Sequence, residues 1–550
     1  MEEATALRAW HQTARSKGRF VFWVVALVIA SWRLSGIESR SLWFDEAFSW
    51  RLTRFSWSEM FERAARDVHP PLYYMILKIW TGIAGDSVVS MRLVSLGWFC
   101  AALGAAVLLC REAVFHPNGE SMDSHLKPTS GERESSLIAV LLLASSPFLH
   151  RYSQEVRMYT QAVALAIAAT YLLLRALRAH SGSPKWWIAY SLVAVALAYT
   201  HYFGLFTLAS HATFVSAWLP LNTQPRDLLP WRNSTVAGAL GAALLASVIY
   251  LPWVPTLLDQ QAQVKKDYWA SDIEKSSPLS GQLWQSIIYR SIVMDKADQF
   301  SVTIAISDSP PWLVNLVVIG FLVVLAGLAR RNDRVGWCLL AVIILPADFA
   351  ILLSFSTGRS LIEQRFLMAS FALWMVGLAL VLGRIPNDWF RWSVTTAVIA
   401  GLLVATSRYR ASLNLPAHSE SRRAVEAVAA ELTSDDTVVS ASPSEFFSLA
   451  YHGREHFGVR QARSNVVGIR HYNGGPIFQE SDFVDWSVIS SKQDGRIWLI
   501  GFRGDLDSLV KPERWKLLKQ TAFPESIQWL GDVVVELWDI PPNKNYGVDP

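Results

Sequence analysis

Apolar runs about as long as a bilayer is thick, roughly 20 residues each, recur along this chain. They fall near residues 20–37, 88–110, 135–150, 160–178, 186–201, 204–220, 234–254, 311–329, 335–355, 365–383 and 392–407. The pattern predicts a polytopic membrane protein with about eleven transmembrane helices. Basic residues punctuate the runs. Arg15, Lys17 and Arg19 precede the first, Arg175, Arg178 and Lys185 occupy one later loop, Arg330, Arg331 and Arg334 another, and Arg384 and Arg391 a third. With the N-terminus in the cytoplasm all of these loops lie on the cytoplasmic side, as basic loops should, and an odd number of spans puts the C-terminus outside. The first run lacks a small-residue cleavage site and reads as a retained helix, not a signal peptide.

The extracytoplasmic face then receives segment 38–87, the turns near 151–158 and 202, segment 255–310, the turn 356–364 and the C-terminal region. Within the first of these, residues 70–84 are apolar but too short to cross, and Gly85-Asp86 closes them. They predict a helix lying in the interface plane, with Tyr73, Tyr74 and Trp80 at headgroup depth. After about residue 408 the pattern becomes that of a soluble protein. A capped amphipathic helix follows Ser419, a strand covers 436–442, a helix runs from Pro443 to Gly453, and strands cover 496–502 and 533–540, the last after a Gly531-Asp532 turn. Alternating strands and helices predict a small α/β domain with a mainly parallel sheet. The expected fold is mainly α: a helical membrane domain over 1–409 and a soluble extracytoplasmic α/β domain over 410–550. The polar loop 112–134 reads as partly disordered.

Composition supports the membrane assignment and narrows the chemistry. Hydrophobic residues make up 52% of the 550, charged residues 17%, and mean hydropathy is positive, which excludes one soluble domain of ordinary composition. The three cysteines, Cys100, Cys110 and Cys338, lie in apolar runs and offer neither a disulfide framework nor a zinc cluster. No Walker loop or dinucleotide fingerprint is present, and nothing points to nucleic acid.

Four polar clusters stand on the extracytoplasmic face. Asp45 and Glu46 sit side by side in SLWFDEAFSW, followed by His69 and Tyr73 in HPPLYY. A carboxylate near a hydroxyl can act as general base, whereas a solvated helix N-terminus favours Asp and Glu without any chemistry. Arg151, Glu155, Arg157 and Tyr159 share the short stretch HRYSQEVRMYT. Arginine suits phosphate oxygens, although a lone arginine at a helix end often snorkels to the headgroups. His201 lies in THYFG and Arg365 in EQRF. An interfacial His with aromatics is more often packing than catalyst, while Arg365 requires a polar cavity unless it snorkels. An acidic pair, three arginines and aromatics at one level describe a site for a phosphorylated lipid and a hydroxyl-bearing acceptor.

The order WFDEA, HPPLYY, RYSQEVRMYT, THYFG and EQRF across residues 20–383 resembles the polyprenyl-phosphate-dependent GT-C glycosyltransferases. It is similar in particular to the bacterial branch related to protein O-mannosyltransferases and lipid A aminoarabinose transferases. That resemblance implies transfer of a sugar from a polyprenyl-phosphate carrier to an extracytoplasmic glycan, lipid or protein hydroxyl, with inversion, in the bacterial inner membrane. It implies Asp45 as general base, Glu46 orienting a substrate, and Arg151, Arg157 and Arg365 holding the departing phosphate. Glu155 and His201 match less closely. No metal ligand is assigned, no cofactor is certain, and a divalent metal is left open. Residues 410–550 are expected to depart from the appendages of the aminoarabinose transferases and eukaryotic mannosyltransferases. Two other readings are a glycolipid transporter or flippase, which would show inverted repeats, and a non-catalytic envelope assembly protein.

Overall fold

The computed structural model describes residues 24–25, 27–29, 31–114, 130–178, 184–229, 233–266, 279–293, 310–357, 361–413, 420–463, 473–485, 488, 495–508 and 525–540. The start of the first expected span, the expected cap Ser419, most of the polar 112–134 loop and large parts of 255–310 lie outside these residues. After a first helical stretch reaching residue 34, the chain forms α1 Phe44–Thr53, α2 Trp57–Arg66, α3 Leu72–Ala84, α4 Val88–Val114, α5 Ser130–Ser145, α6 Pro147–Ser153, α7 Tyr159–Arg178 and α8 Pro184–Ala198. It continues with α9 Phe203–Asn222, α10 Ser234–Tyr250, α11 Val254–Lys266, α12 Gly281–Val293, α13 Pro311–Ala329, α14 Arg334–Thr357, α15 Met368–Gly383 and α16 Asp388–Leu413. Packing divides the chain into two units. One comprises residues 1–37, 69–73 and 92–410, the other 38–68, 74–91 and 411–550. The compositional boundary at 409/410 therefore differs from the packing boundary in where it places most of 38–91.

Among the described residues of the chain, six helices are long and apolar enough to cross a membrane: Val88–Val114, Tyr159–Arg178, Ser234–Val264, Pro311–Ala329, Arg334–Thr357 and Asp388–Ser412. Shorter apolar helices include Glu134–Ser145, Pro184–Ala198 and Met368–Gly383. The run expected as one span over 135–150 is broken. Ser146, which precedes Pro147, is extended (φ −65°, ψ 123°) and caps α6 by accepting the Leu149 N–H. Proline forbids the helical region to the residue before it, so α5 ends and α6 restarts in a new direction. The carbonyls freed at the end of α5 are taken by Arg33, which is 1% exposed. Its Nε donates to Ala144 O at 2.9 Å, and Nη2 donates to Leu143 O at 3.0 Å, Ala144 O at 2.6 Å and Ser146 O at 3.1 Å. A buried helix end needs such a partner, and a guanidinium supplies several donors at once.

Elsewhere in the first unit, Glu112 on α4 meets Arg178 Nε at 2.9 Å and lies within 3.5 Å of Arg175 and 3.7 Å of Arg334. Arg331 pairs with Asp333 and donates to Ala113 O. Arg175, Arg178, Arg331 and Arg334, which sequence assigns to one side, thus meet near the end of α4.

The second unit is built on a six-stranded sheet of order β3-β2-β1-β4-β6-β5. Besides the early helices within 38–91, its elements are α17 Glu420–Glu431, β1 Thr437–Ser440, α18 Pro443–Gly453, β2 Val459–Ala462, β3 Phe483–Val484, β4 Gly495–Phe502, α19 Arg503–Ser508, β5 Ser526–Leu530 and β6 Val533–Ile540. The β3-β2-β1-β4 half is parallel, but β4-β6 and β5-β6 pair antiparallel, so the sheet is mixed where a mainly parallel one was expected. Gly531, with φ +82°, makes the tight turn that folds β5 back on β6. Trp498 and Trp538 are fully buried on the sheet, and Trp498 donates to Asp436 at 2.9 Å.

Candidate functional site

The carboxylate pair lies in the second unit, in the first turn of α1, where it suits the helix dipole. Its two members have different surroundings. Glu46 is buried, and its Oε2 accepts the Trp43 backbone N–H at 3.4 Å, so it closes the helix N-terminus. Asp45 is half-buried, and its carbonyl accepts the Ser49 hydroxyl at 2.8 Å. Of the pair, Asp45 is the more exposed. Seven of the ten residues of α1 are buried, among them Phe48, Trp50 and Leu52, which anchors the turn that carries Asp45.

The remaining sequence-predicted residues belong to the first unit, and the structure brings them together. Arg151 at the end of α6 donates from Nε to Glu155 Oε1 at 2.9 Å, with Arg151 7% and Glu155 1% exposed. The other Glu155 carboxylate oxygen is buried without a hydrogen-bond partner among the described residues. Arg157, also buried, reaches His69 Nε2 at 3.2 Å. The His69 ring lies 6.1 Å from that of His201, which in turn lies 5.9 Å from Tyr159 and 5.6 Å from Phe366. Phe366 holds the Arg365 guanidinium over its face at 5.5 Å.

Electrostatics distinguishes the histidine from the carboxyl nearby. Burial, then the charges of His69, Arg157 and Arg365, lower the His201 pKa well below its ordinary value, so the ring is neutral. Its Nδ1 accepts the Phe203 N–H at 3.2 Å, which leaves the proton on Nε2. His201 is therefore an uncharged donor beside two arginines. Burial pushes the Glu363 carboxyl up, and Arg365, Arg151 and Arg290 oppose it. The Glu363 carboxyl thus feels the charges of Arg365, Arg151 and Arg290.

Tyr73 packs against α4. It is 0% exposed, with its hydroxyl 3.3 Å from Ser95 Oγ. Ser95 on α4 in turn bonds the Glu155 carbonyl and Arg157 O, and its own carbonyl accepts the Thr160 hydroxyl at 2.8 Å. Tyr73 and Ser95 therefore brace the Glu155–Arg157 turn from behind. Arg33 braces its other side: Nη1 donates to Ser153 Oγ at 3.1 Å, and Gln154 donates back to the Arg33 carbonyl. Sequence reasoning missed Ser95, Arg33 and Arg290. The signal for Arg33 was a charge inside an apolar run, which is costly unless it is fully bonded.

Among the described residues no group of three or more His, Cys, Asp or Glu side chains is placed to hold a metal ion. No family model matches the sequence, and no curated protein matches it. Solved structures do. ArnT from Cupriavidus metallidurans in the apo state aligns with a TM-score of 0.58 at 13% identity, over 96% of this chain and 100% of that one. The same protein bound to undecaprenyl phosphate aligns with a TM-score of 0.56 at 12% identity, over the same shares. The chain has the GT-C fold.

Proposed function

We propose that this protein is a membrane glycosyltransferase that moves a sugar from a polyprenyl-phosphate carrier to an extracytoplasmic hydroxyl by an inverting displacement. The observation that carries this reading is the arginine group. Arg151, Arg157 and Arg365, with neutral His201 beside them, offer several fixed N–H donors to one phosphate, within a fold whose solved neighbour is described as bound to undecaprenyl phosphate. In a transfer from such a carrier, negative charge grows on the departing phosphate as the sugar leaves. Fixed cations strengthen their hold in that transition state and so lower the barrier. His201 contributes an Nε2–H without adding charge.

Asp45 takes the proton of the acceptor hydroxyl as the new glycosidic bond forms at the anomeric carbon and the bond to phosphate breaks. Glu46 holds the turn in which Asp45 sits. The buried unpartnered oxygen of Glu155 suits a hydroxyl of the transferred sugar, since leaving it dry and unpaired is costly. We place the protein in the bacterial cytoplasmic membrane, with the N-terminus inside and residues 410–550 outside.

Purified protein in lipid nanodiscs, given a panel of polyprenyl-phosphate sugars and crude envelope lipid as acceptor, tests the reading. Wild type should release polyprenyl phosphate from one donor and Asp45→Asn should not. Release by neither, with any donor, would turn the reading towards a transporter. A tag placed after Pro550 should be accessible in intact cells, and its protection would overturn the orientation.

A further inference from the structure

The helix that carries Asp45 is held largely by the C-terminal α/β domain. Arg51, two turns after Asp45, donates from Nη2 to both carboxylate oxygens of Asp482 at 2.9 and 3.0 Å and to Gln479 Oε1 at 2.9 Å. The pair is mostly shielded, with side chains 19% and 13% exposed. Ahead of α1, the Leu42 N–H donates to His452 Nε2 at 3.3 Å, and the Leu42 carbonyl accepts the Ser448 hydroxyl. The Phe44 ring packs against Phe447 at 6.3 Å, and the Trp50 ring meets Tyr451 edge-on at 5.1 Å. Asp86 ties these together, accepting Trp50 Nε1–H at 2.8 Å on its carboxylate and the Tyr451 hydroxyl at 2.9 Å on its carbonyl. In α2, Arg63 donates to the carbonyls of Pro476 and Phe478.

We infer that the C-terminal domain positions the general base: its α18 and the 479–482 turn fix α1 at both ends and so set where the Asp45 carboxylate stands. The inference rests on the proposed role of Asp45. Both ends of the helix are covered, His452 and Ser448 before its first residue and Asp482 at its last turn. Rotation about the helix axis would break one set or the other. A charge pair with a hydrogen bond to one further acceptor, Gln479 Oε1, fixes direction as well as distance. A base displaced by about 1 Å loses rate on the order of 10²-fold while donor binding, which the arginines provide, is unaffected. Arg51 and Asp482 are therefore positioning residues.

The test compares Arg51→Ala, Asp482→Ala, the double variant, the charge exchange Arg51→Asp/Asp482→Arg and Asp45→Asn, all as full chains in nanodiscs. Turnover and amide hydrogen exchange over 44–53 are measured for each. Each single variant should lower kcat by about 10- to 100-fold, leave donor KM within about twofold and speed exchange over 44–53. The double variant should be no worse than either single one, because the residues act as a unit, and the charge exchange should restore part of the lost kcat. Unchanged kcat together with unchanged exchange in the single variants would overturn the inference, as would a loss that appears in donor KM instead. Gln479→Ala provides a milder variant should the charge deletions prevent folding. If Asp45→Asn keeps full turnover while exchange still rises in Arg51→Ala, the base assignment fails and the helix clamp stands.

Discussion

The arginine group and the carboxylate helix are held in contrasting ways. Arg151 pairs with Glu155 four residues away, Arg157 meets His69 across 88 residues and Arg33 reaches Ala144 across 111, all within one helical unit. The hydrogen bonds that tie the Asp45 helix and Leu42 before it to the late domain span 406 to 431 positions in the chain. The first group is made by helices that pack on one another. The second is an early loop fixed by a late domain. On the proposed reading, the group that binds phosphate is built inside the helical unit and can vary independently of the domain that holds the base.

That contrast can be broken by experiment. The largest effect expected is from Asp45→Asn, which should cut kcat by roughly 10²- to 10⁴-fold with donor KM almost unchanged; steady-state turnover against donor concentration checks it. Arg365→Ala should instead act on the donor, raising its KM by about 10- to 100-fold, the worth of a hydrogen bond to a charged group. If donor saturation is unaltered in that variant, Arg365 does not hold the phosphate. Arg33→Met removes the donors that satisfy the end of α5 and should destabilise the helical unit by about 1–3 kcal/mol, seen as a lower midpoint in a thermal melt. Turnover should fall with it, since the Glu155–Arg157 turn loses one brace.

The smallest effect concerns the α/β domain. Burial pushes the Glu445 carboxyl up to about 7 from an ordinary 4.5; the Ser421 hydroxyl opposes the rise, and Glu420 and Asp505 add to it. The folded state therefore holds this proton more tightly than the unfolded chain. The resulting stability is fully present below about 4.5 and is lost as pH rises through about 7. Glu445→Gln should flatten the pH dependence of the domain's stability between those values, as denaturant melts at pH 5 and pH 8 would reveal.

Local signals in the sequence located much of this structure. The α13 helix occupies 311–329 as the apolar run predicts, and α18 runs from Pro443 to Gly453, where proline at the first turn and glycine at the end mark its limits. The break at Ser146 was written in the following proline but overlooked because the run stayed apolar. The α2 helix was equally visible: Ser56 and Glu59 exchange hydrogen bonds as a capping box three residues apart. The candidate site was legible as residue types, since arginines, histidines and carboxylates declare themselves. Its supports were not. Ser95 and Arg33 work through backbone carbonyls some 60 and 110 positions distant, and a carbonyl carries no trace in the sequence of which side chain will find it. The antiparallel half of the sheet was hidden for a similar reason, because strand direction depends on pairing between segments far apart.

The tie between Arg51 and Asp482, 431 residues apart, also sets a clock. At a synthesis rate of roughly 5–20 residues per second, the early helix waits on the order of 20 to 90 s for the residues that fasten it. During that interval the helical segments have been made and the late turn does not yet exist. On the proposed reading, a nascent chain could gather its phosphate-binding arginines while its base was still unfastened, so that transfer begins only once the domain made last has closed on a helix made first.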